Sequence, residues 1–488
     1  MALINIGSTK QLFVDDYLIE SMTNTRQVMN PAQKVECNPI MEAEGPDENW
    51  LSGQVTFDVK DQIFKMRYST ASYKGHRGPD GTVIIDGPDD YTPRMMRLAV
   101  SDDGIHWEKP ALGLVEHEGS KKNNIIPPES SKMHNFFEDL HESDPAKRYK
   151  GLIRTGTTET PGMQFDLFYS PDGFTWTPYE GNPVIDTAPK IGRWGPTHFM
   201  GWDPIREVYA AHMENCLHRH CPLGRRLIGR AESPDMIHWS EPETIIMPDE
   251  RDNPDTEFYA MPAIIYEGLY VGMLWIFQTT NTCHYPEIVF SRDGIHYPRQ
   301  YRQPFIERGA TGQFDSVSIY SQAPIIHNNH MYTFYHATNW RSPETLVELG
   351  DKAKTAQGLA ITPLDGFVSV DGCKGVAVDV RPDHPWGEQY SQLVTRAFSF
   401  TGRQLHLNLF GALQQWGASP CDVRVEILAP NHEPLPGFTF GDADPITGGG
   451  QTQVVSWNGE SDLSDLAGKA IKLRFYFNNA KLYSFQFK

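Results

Sequence analysis

The sequence predicts an all-β protein, with a five-bladed β-propeller over residues 1–374 and a C-terminal β-sandwich over residues 375–488. Three observations lead to this prediction. A short motif recurs at intervals that each suit one propeller blade. The segments between the copies alternate between apolar and polar residues, as half-buried strands do. After about residue 375 the motif disappears, although strand-like segments continue.

The repeated motif has the form Ser-x-Asp-Gly-x-x-Trp, and its aspartates are separated by 69, 63, 58 and 72 residues. Each interval accommodates a four-stranded antiparallel blade with long connections. The motif itself predicts a turn, since Asp accepts backbone hydrogen bonds and Gly takes positive φ, while the aromatic residue packs between sheets. We expect these aspartates at the outer edges of the blades. The copies are Ser101–Trp107, Ser170–Trp176, Ser233–Trp239, Ser291–Tyr297 and a degenerate Leu364–Ser369.

The remaining elements are predicted from the alternation of apolar and polar residues and from the positions of turn residues. Strands are predicted in the propeller at 54–58, 63–68, 149–154 and 331–335, and later at 405–409, 422–427, 452–457 and 471–476. One short helix is expected around 343–354. The early segment 11–15 is expected to close the ring of blades by pairing with the last one.

Composition limits the kinds of partner. The chain has 62 acidic and 43 basic residues, a net charge of -19, and no polybasic run. Such a field repels nucleic acid and anionic membranes but does not affect neutral ligands such as sugars. Six cysteines are few for 488 residues, and the N-terminus lacks the pattern of a secretory signal, which together favour a cytoplasmic protein. The sequence leaves open whether the protein forms a homo-oligomer.

The blade motif carries a family resemblance. Ser233-Pro-Asp-Met-Ile-His-Trp239 is similar to the Ser-x-Asp-Leu-x-x-Trp segment of invertases and fructanases. The chain thus resembles the arabinanase, levansucrase and invertase superfamily, with glycosyl hydrolase families 32 and 43 as its nearest groups. That resemblance implies a five-bladed propeller with a C-terminal β-sandwich, and base, stabiliser and acid on successive blades. Sialidases are the rival on the motif alone, but their repeat has one more residue between Asp and Gly.

Acidic residues near the start of each blade are candidates for catalysis, because the innermost strands of a propeller line its central pocket. Glycoside hydrolysis needs two carboxyl groups across the scissile bond. We predict Glu257 as the general acid, because its aromatic neighbours give it an apolar setting that favours the protonated form. Asp47 or Glu48 is the predicted nucleophile or base. Asp139 is predicted to orient sugar hydroxyls and stabilise positive charge in the transition state.

A second group of residues is predicted to bind the substrate: Trp50, Arg193, His198, Asp315 and His336. No metal site and no cofactor are predicted. The stretch His212–Cys221 could bind a transition metal or, with the arginines at 225, 226 and 230, a phosphate or a carboxylate, but a solvated loop is the favoured interpretation.

The predicted function is hydrolysis of a small oligosaccharide or glycoside, with a fructofuranoside or arabinofuranoside as the first candidate. Signatures of esterases, kinases, zinc proteases and dinucleotide-dependent enzymes are missing from the sequence. Two alternatives stay open. One is a propeller-type glycoside phosphorylase, and the other is a carbohydrate-binding propeller without catalysis.

Overall fold

A computed structural model describes residues 3–45, 48–87, 95–127, 136–155, 164–186, 193–216, 225–372, 391–411 and 421–488. The chain is almost entirely β-structure and divides into two compact units. The first unit comprises residues 1–31, 329–331 and 362–488, and the second comprises residues 32–328 and 332–361. The predicted domain boundary at 374/375 lies outside the described residues. Within those residues, no helix has the length and apolar composition needed to span a bilayer.

The strands are numbered in chain order. The first are β1 Ile4–Gly7, β2 Gln11–Leu12, β3 Ile19–Thr23, β4 Thr25–Met29, β5 Gln33–Lys34, β6 Trp50–Asp58, β7 Ile63–Ala71, β8 Lys74–Arg77, β9 Val83–Asp86 and β10 Met96–Ser101. There follow β11 Phe136–Glu138, β12 Tyr149–Arg154, β13 Gln164–Ser170, β14 Thr177–Pro178, β15 Ile185–Asp186, β16 Arg193–Asp203, β17 Val208–Cys216, β18 Leu227–Ser233, β19 Glu243–Ile246, β20 Thr256–Ala260, β21 Ala263–Tyr266, β22 Leu269–Gln278 and β23 Cys283–Ser291. The last are β24 Ser318–Ser321, β25 Ile325–His327, β26 His330–Thr338, β27 Thr355–Pro363, β28 Val368–Gly372, β29 Ser391–Thr395, β30 Phe398–Phe400, β31 Leu405–Gly411, β32 Asp422–Leu428, β33 Gly450–Val454, β34 Lys472–Asn478 and β35 Ala480–Phe487.

The α-helix α1 spans Pro343–Leu349 and continues into a 3-10 turn at Gly350–Lys352, close to the predicted helix. Its N-cap is Ser342, whose hydroxyl accepts the backbone N–H of Thr345. Two further 3-10 turns lie at Pro145–Lys147 and Ser464–Leu466.

In the second unit, antiparallel sets of strands follow one another along the chain. They are β6-β7-β10, β11-β12-β13-β14, β16-β17-β18-β19, β20-β22-β23 and β24-β26 with β27 and β5. Single parallel bridges, His284 to Ser318 and Trp50 to Thr355, join some of the sets into one larger sheet. The succession of sets agrees with the repeat spacing, and the five-bladed ring stays a prediction.

One predicted pairing is wrong. In β2, Gln11 and Leu12 pair with Phe485 and Ser484 of β35 in the first unit rather than with the last set of strands. The segment that does pair with β27 is β5, which contributes Gln33 and Lys34 as an edge strand. Both segments are only two residues long, so long-range contacts decide which one pairs.

The repeat motif forms the turn that its residues predict. In the first copy, Asp103 Oδ1 accepts the backbone N–H groups of Ile105 and His106, both at 2.8 Å, and Gly104 has φ +77°. The next three copies repeat these hydrogen bonds. The third copy carries Met236 where the other three have Gly. Met236 still takes a positive φ of +70°, because burial of its side chain in the core offsets the backbone strain.

The first unit holds the N-terminal strands together with the C-terminal ones. One sheet has the order β33-β31-β35-β28-β4 and another the order β3-β29-β34-β32. Apolar side chains from both sheets share one core, which includes Leu407, Phe475 and Phe485. Two sheets on a common core favour the predicted β-sandwich.

Candidate active site

A cavity of about 760 Å³ lies within the second unit. Its walls come from several sets of strands. Residues along the length of β6 form one side, and another side is formed by Trp275 of β22, the segment 320–326 and His336 of β26. This volume falls in the range of natural small-molecule sites.

Strand register places a row of side chains on one face of the sheet β20-β22-β23-β24-β26. Glu257 lies opposite Phe277, Phe277 opposite His284, and His284 opposite Ser318. Residues two positions along the same strands share this face, because side chains alternate along a strand. They include Trp275.

On β24 and β26 the same face carries Tyr320 and His336, which lie opposite each other. Trp275, Tyr320 and His336 all line the cavity. We call this face, from Glu257 to His336, the aromatic wall.

The rings of the aromatic wall contact one another in sequence. The centroid of Trp275 lies 4.7 Å from that of His198 on β16 and 5.2 Å from that of Tyr320. Tyr320 stacks on His336 with centroids 4.7 Å apart, and the Tyr320 hydroxyl lies 3.1 Å from Nδ1 of His284. Mutual contact holds the rings in place, so the wall is a pre-formed surface.

The histidines at this wall are neutral at physiological pH. Burial lowers the pKa of His198 and of His284 to about 3 and that of His336 to about 4. A neutral imidazole offers one hydrogen-bond donor and one acceptor and carries no charge. The wall therefore combines apolar ring faces with uncharged polar atoms.

Glu257 stands at one edge of the aromatic wall and is paired with a cation. Arg226 Nη1 donates a hydrogen bond to Glu257 Oε2, and Arg226 Nε lies 3.3 Å from Glu214 Oε1. The guanidinium also lies over the rings of Tyr259 and Phe277. Glu257 is not among the residues that line the cavity, but Tyr259 links it to the cavity by stacking on Trp275 at 6.4 Å. Its setting is thus ionic as well as aromatic, whereas the sequence predicted an apolar one.

Three of the predicted substrate-binding residues, Trp50, His198 and His336, line the cavity. Glu48 precedes Trp50 by two residues, and its carboxylate accepts hydrogen bonds from the Thr70 hydroxyl at 2.6 Å and the Gly45 N–H at 3.2 Å. Asp47 lies outside the described residues. Arg193 lies in β16, and its side chain is likewise outside the described part of the structure.

Two other predicted carboxylates lie in buried ion pairs. Asp139 is 1% exposed and accepts hydrogen bonds from Lys150 Nζ at 2.5 Å and from the Tyr209 hydroxyl at 2.7 Å. Asp315 is 2% exposed, and its Oδ2 lies 2.5 Å from Lys34 Nζ. Neither lines the cavity. The structure does not bring them together with Glu257.

The arginines proposed for phosphate binding already have protein partners. Arg225 donates to the carbonyl of Pro254 at 2.6 Å, and Arg230 is buried against Asp203 at 2.5 Å and Glu232 at 2.8 Å. His212 contacts the carbonyl of Met261 through Nδ1, and residues 217–224 lie outside the described residues. The described residues contain no group of three His, Cys, Asp or Glu side chains that could hold a metal ion.

Sequence reasoning missed charged residues on β6, β7 and neighbouring strands that also line the cavity. Asp58 pairs with Lys65 at 2.6 Å, and Glu138 pairs with Arg148 at 3.0 Å. Arg67 lines the cavity beside them. The alternation in Ile63–Tyr68 contains the signal, because Lys65 and Arg67 fall on the face opposite Phe64 and Met66.

Comparisons with known proteins identify no family. No family model matches the sequence, and no curated protein matches it. Among solved structures, a glycoside hydrolase has a TM-score of 0.44 and 14% identity, over 69% of this chain and 92% of its own. A β-1,2-mannobiose phosphorylase from Listeria innocua has a TM-score of 0.42 and 11% identity, over 67% and 96%. An N-acetylgalactosamine deacetylase from F. plautii has a TM-score of 0.43 and 13% identity, over 71% and 97%.

Proposed function

We propose that this protein cleaves a glycosidic bond, with the sugar bound in the cavity against the aromatic wall and Glu257 as one of two reacting carboxyl groups. The observation that carries the proposal is the sheet face that presents Glu257, Trp275, Tyr320 and His336 side by side. It places a carboxylate at the edge of a row of aromatic rings, and rings of this kind pack on sugars.

The chemistry of the wall suits a sugar. The C–H faces of a pyranose or furanose ring are apolar and pack on aromatic rings, while the hydroxyl groups need partners at the edge. Trp275 and Tyr320 supply the rings, and the neutral His198 and His336 supply donors and acceptors. Because these histidines are uncharged, they bind hydroxyls without favouring a charged ligand.

Glu257 suits a role as an anion. Arg226 donates a hydrogen bond to Glu257 Oε2, an arrangement that a carboxylate can keep while it acts as a nucleophile or as a base for water. We therefore propose that Glu257 is the nucleophile or base rather than the general acid expected from the sequence. The acid is proposed from Asp47 or Glu48, which precede the cavity residue Trp50.

The reaction then follows the two-carboxylate scheme. One carboxyl group protonates the departing glycosidic oxygen while Glu257 either attacks the anomeric carbon or takes a proton from the attacking water. Arg226 acts as a positioning residue, because it also binds Glu214 and so fixes the Glu257 carboxylate against the strand. A small oligosaccharide or glycoside is the proposed substrate, with a fructofuranoside or arabinofuranoside first.

The test is a panel of aryl and natural glycosides, furanosides and pyranosides, assayed with and without inorganic phosphate. Release of free sugar without phosphate supports hydrolysis. Turnover that requires phosphate and yields a sugar phosphate identifies a phosphorylase instead. Binding of sugars without any turnover would leave a carbohydrate-binding module, and the proposal of cleavage would be wrong.

A further inference from the structure

Arg67 differs in its partners from Arg230 and Arg299 of the second unit. Arg230 is paired with Asp203 and Glu232, and Arg299 is paired with Asp252 at 2.6 Å and Glu287 at 2.7 Å. Among the described residues Arg67 has no ion pair and no hydrogen bond, and its Nη1 is shielded from solvent without a partner. Its only direct partners there are aromatic rings.

Two phenyl rings hold the Arg67 guanidinium at the cavity. Its Cζ lies 4.1 Å from the ring centroid of Phe136 and 5.0 Å from that of Phe174, and all three residues line the cavity. Gly173, at φ +73°, leaves the space, since a Cβ there would lie 2.8 Å from Arg67 Nη2. The ring faces fix the plane of the guanidinium but accept no N–H hydrogen bond in that plane.

Asp172, the carboxylate whose charge acts on Arg67, does not satisfy its N–H groups. Asp172 Oδ1 accepts the N–H groups of Phe174 and Thr175, both at 2.7 Å, and the Ser170 hydroxyl at 3.0 Å. Its Oδ2 is 3.3 Å from the Thr175 hydroxyl. The hydrogen bonds of Asp172 thus stabilise the repeat turn. Its interaction with Arg67 is electrostatic and includes no hydrogen bond.

A cation in this setting is costly without an acceptor. Burial lowers the pKa of Arg67 to about 10, which reflects the loss of water around the charge. Arg230 and Arg299 meet this cost with paired carboxylates. Nη1 is closed to solvent, so the guanidinium edge that carries the Nε and Nη2 hydrogens is the one that matches an oxyanion, because a carboxylate or phosphate accepts two parallel N–H hydrogen bonds.

We propose that Arg67 receives an oxyanion in the cavity, either the carboxylate of a sugar acid or inorganic phosphate. This inference rests on the proposed function in that it names the class of ligand for the same cavity. It also differs from the Arg225–Arg230 cluster, whose guanidinium groups have protein partners.

The test measures binding rather than turnover, so its outcome is independent of whether cleavage is found. Isothermal titration calorimetry with wild type uses D-glucuronate, D-galacturonate and inorganic phosphate, with methyl glucoside as the neutral reference. Binding of a sugar acid or of phosphate is expected, and which of them binds identifies the source of the oxyanion. Arg67→Gln should lose about 10- to 100-fold in that affinity, the usual effect of removing a charged hydrogen-bond donor.

Arg251→Gln is the matched control, since it removes the same charge from an exposed arginine that does not line the cavity. It should change the affinity by less than about twofold. Arg67→Lys keeps the charge without the planar fork and should bind with intermediate affinity. If Arg67→Gln fails to fold, two other measurements test the proposal. They are the oxyanion affinity of Arg67→Lys and the rise in the Tm of wild type when each oxyanion is added.

The inference is overturned if none of the three oxyanions binds wild type. It is also overturned if Arg67→Gln or Arg67→Lys binds an oxyanion as tightly as wild type does. If glycosides are cleaved while no oxyanion binds, the proposed function survives and this inference fails. If an oxyanion binds through Arg67 while no glycoside is cleaved, this inference survives and the proposed function fails.

Discussion

Replacing Asp139 by alanine should destabilise the second unit rather than impair chemistry alone. The carboxylate accepts hydrogen bonds from Lys150 at 2.5 Å and Tyr209 at 2.7 Å, and the side chains of Asp139 and Lys150 are 0% and 4% exposed. Desolvation lowers the pKa of Lys150, but its hydrogen bonds to Asp139, Tyr209 and Glu142 outweigh this and raise it. The lysine is thus charged and depends on these partners.

The size of the effect follows from what remains after the substitution. Removing one partner of a buried ion pair costs about 3–5 kcal/mol, because the other charge is left without compensation. Glu142 stays 2.9 Å from Lys150 Nζ and is partly exposed, so the lower end, about 3 kcal/mol, is expected. For a domain of this size that corresponds to a fall in Tm of roughly 5 °C.

Differential scanning calorimetry of Asp139→Ala measures this directly. The double variant Asp139→Leu with Lys150→Met should recover most of the loss, because an apolar pair of similar volume can replace a buried ion pair. A Tm within about 1 °C of wild type, together with a large loss of turnover, would refute the structural role and restore Asp139 as a catalytic residue.

Two further predictions concern stability. Burial lowers the pKa of His284 to about 3 and that of His212 to about 4, so the unfolded chain binds protons below pH 6.5 that the folded chain does not. Stability is therefore full above pH 6.5 and falls as the pH is lowered, by on the order of 2 kcal/mol per histidine at pH 5. Thermal melts across this pH range should show His284→Gln weakening this dependence. Met236→Gly should relieve about 1 kcal/mol of backbone strain but lose more from the core, for a net loss of about 2 kcal/mol by urea denaturation. A gain in stability would contradict this balance.

Local parts of the fold could be predicted from the sequence. The turn after Ser101 depends on Asp103 and Gly104 alone, so a seven-residue motif specifies it. Long-range pairing is different. The segments 11–15 and 33–34 are both short, and only contacts from residues hundreds of positions away place β2 on β35 and β5 on β27.

The same distinction applies to the candidate site. Asp139 and Glu257 look alike in the sequence, as acidic residues beside aromatic ones at the start of a strand. The fold distinguishes them by their partners, since Asp139 meets a buried lysine while Glu257 meets Arg226 on the aromatic wall. Trp50, His198 and His336, which the sequence predicts as substrate-binding residues, line the cavity. Arg67 could not be chosen, because its neighbours Phe136 and Phe174 are distant in the chain.

The most direct test of the central claim compares kcat/KM of wild type, Glu257→Gln and Glu250→Gln on one substrate from the glycoside panel. Glu250 is an exposed glutamate in a turn and provides the charge-matched control. The account predicts a loss of about 10²- to 10⁴-fold for Glu257→Gln with a fall in Tm of no more than about 3 °C, because glutamine keeps an acceptor for Arg226, and a change of less than about twofold for Glu250→Gln. Glu257→Gln that retains wild-type kcat/KM would contradict the assignment of Glu257 to the reaction.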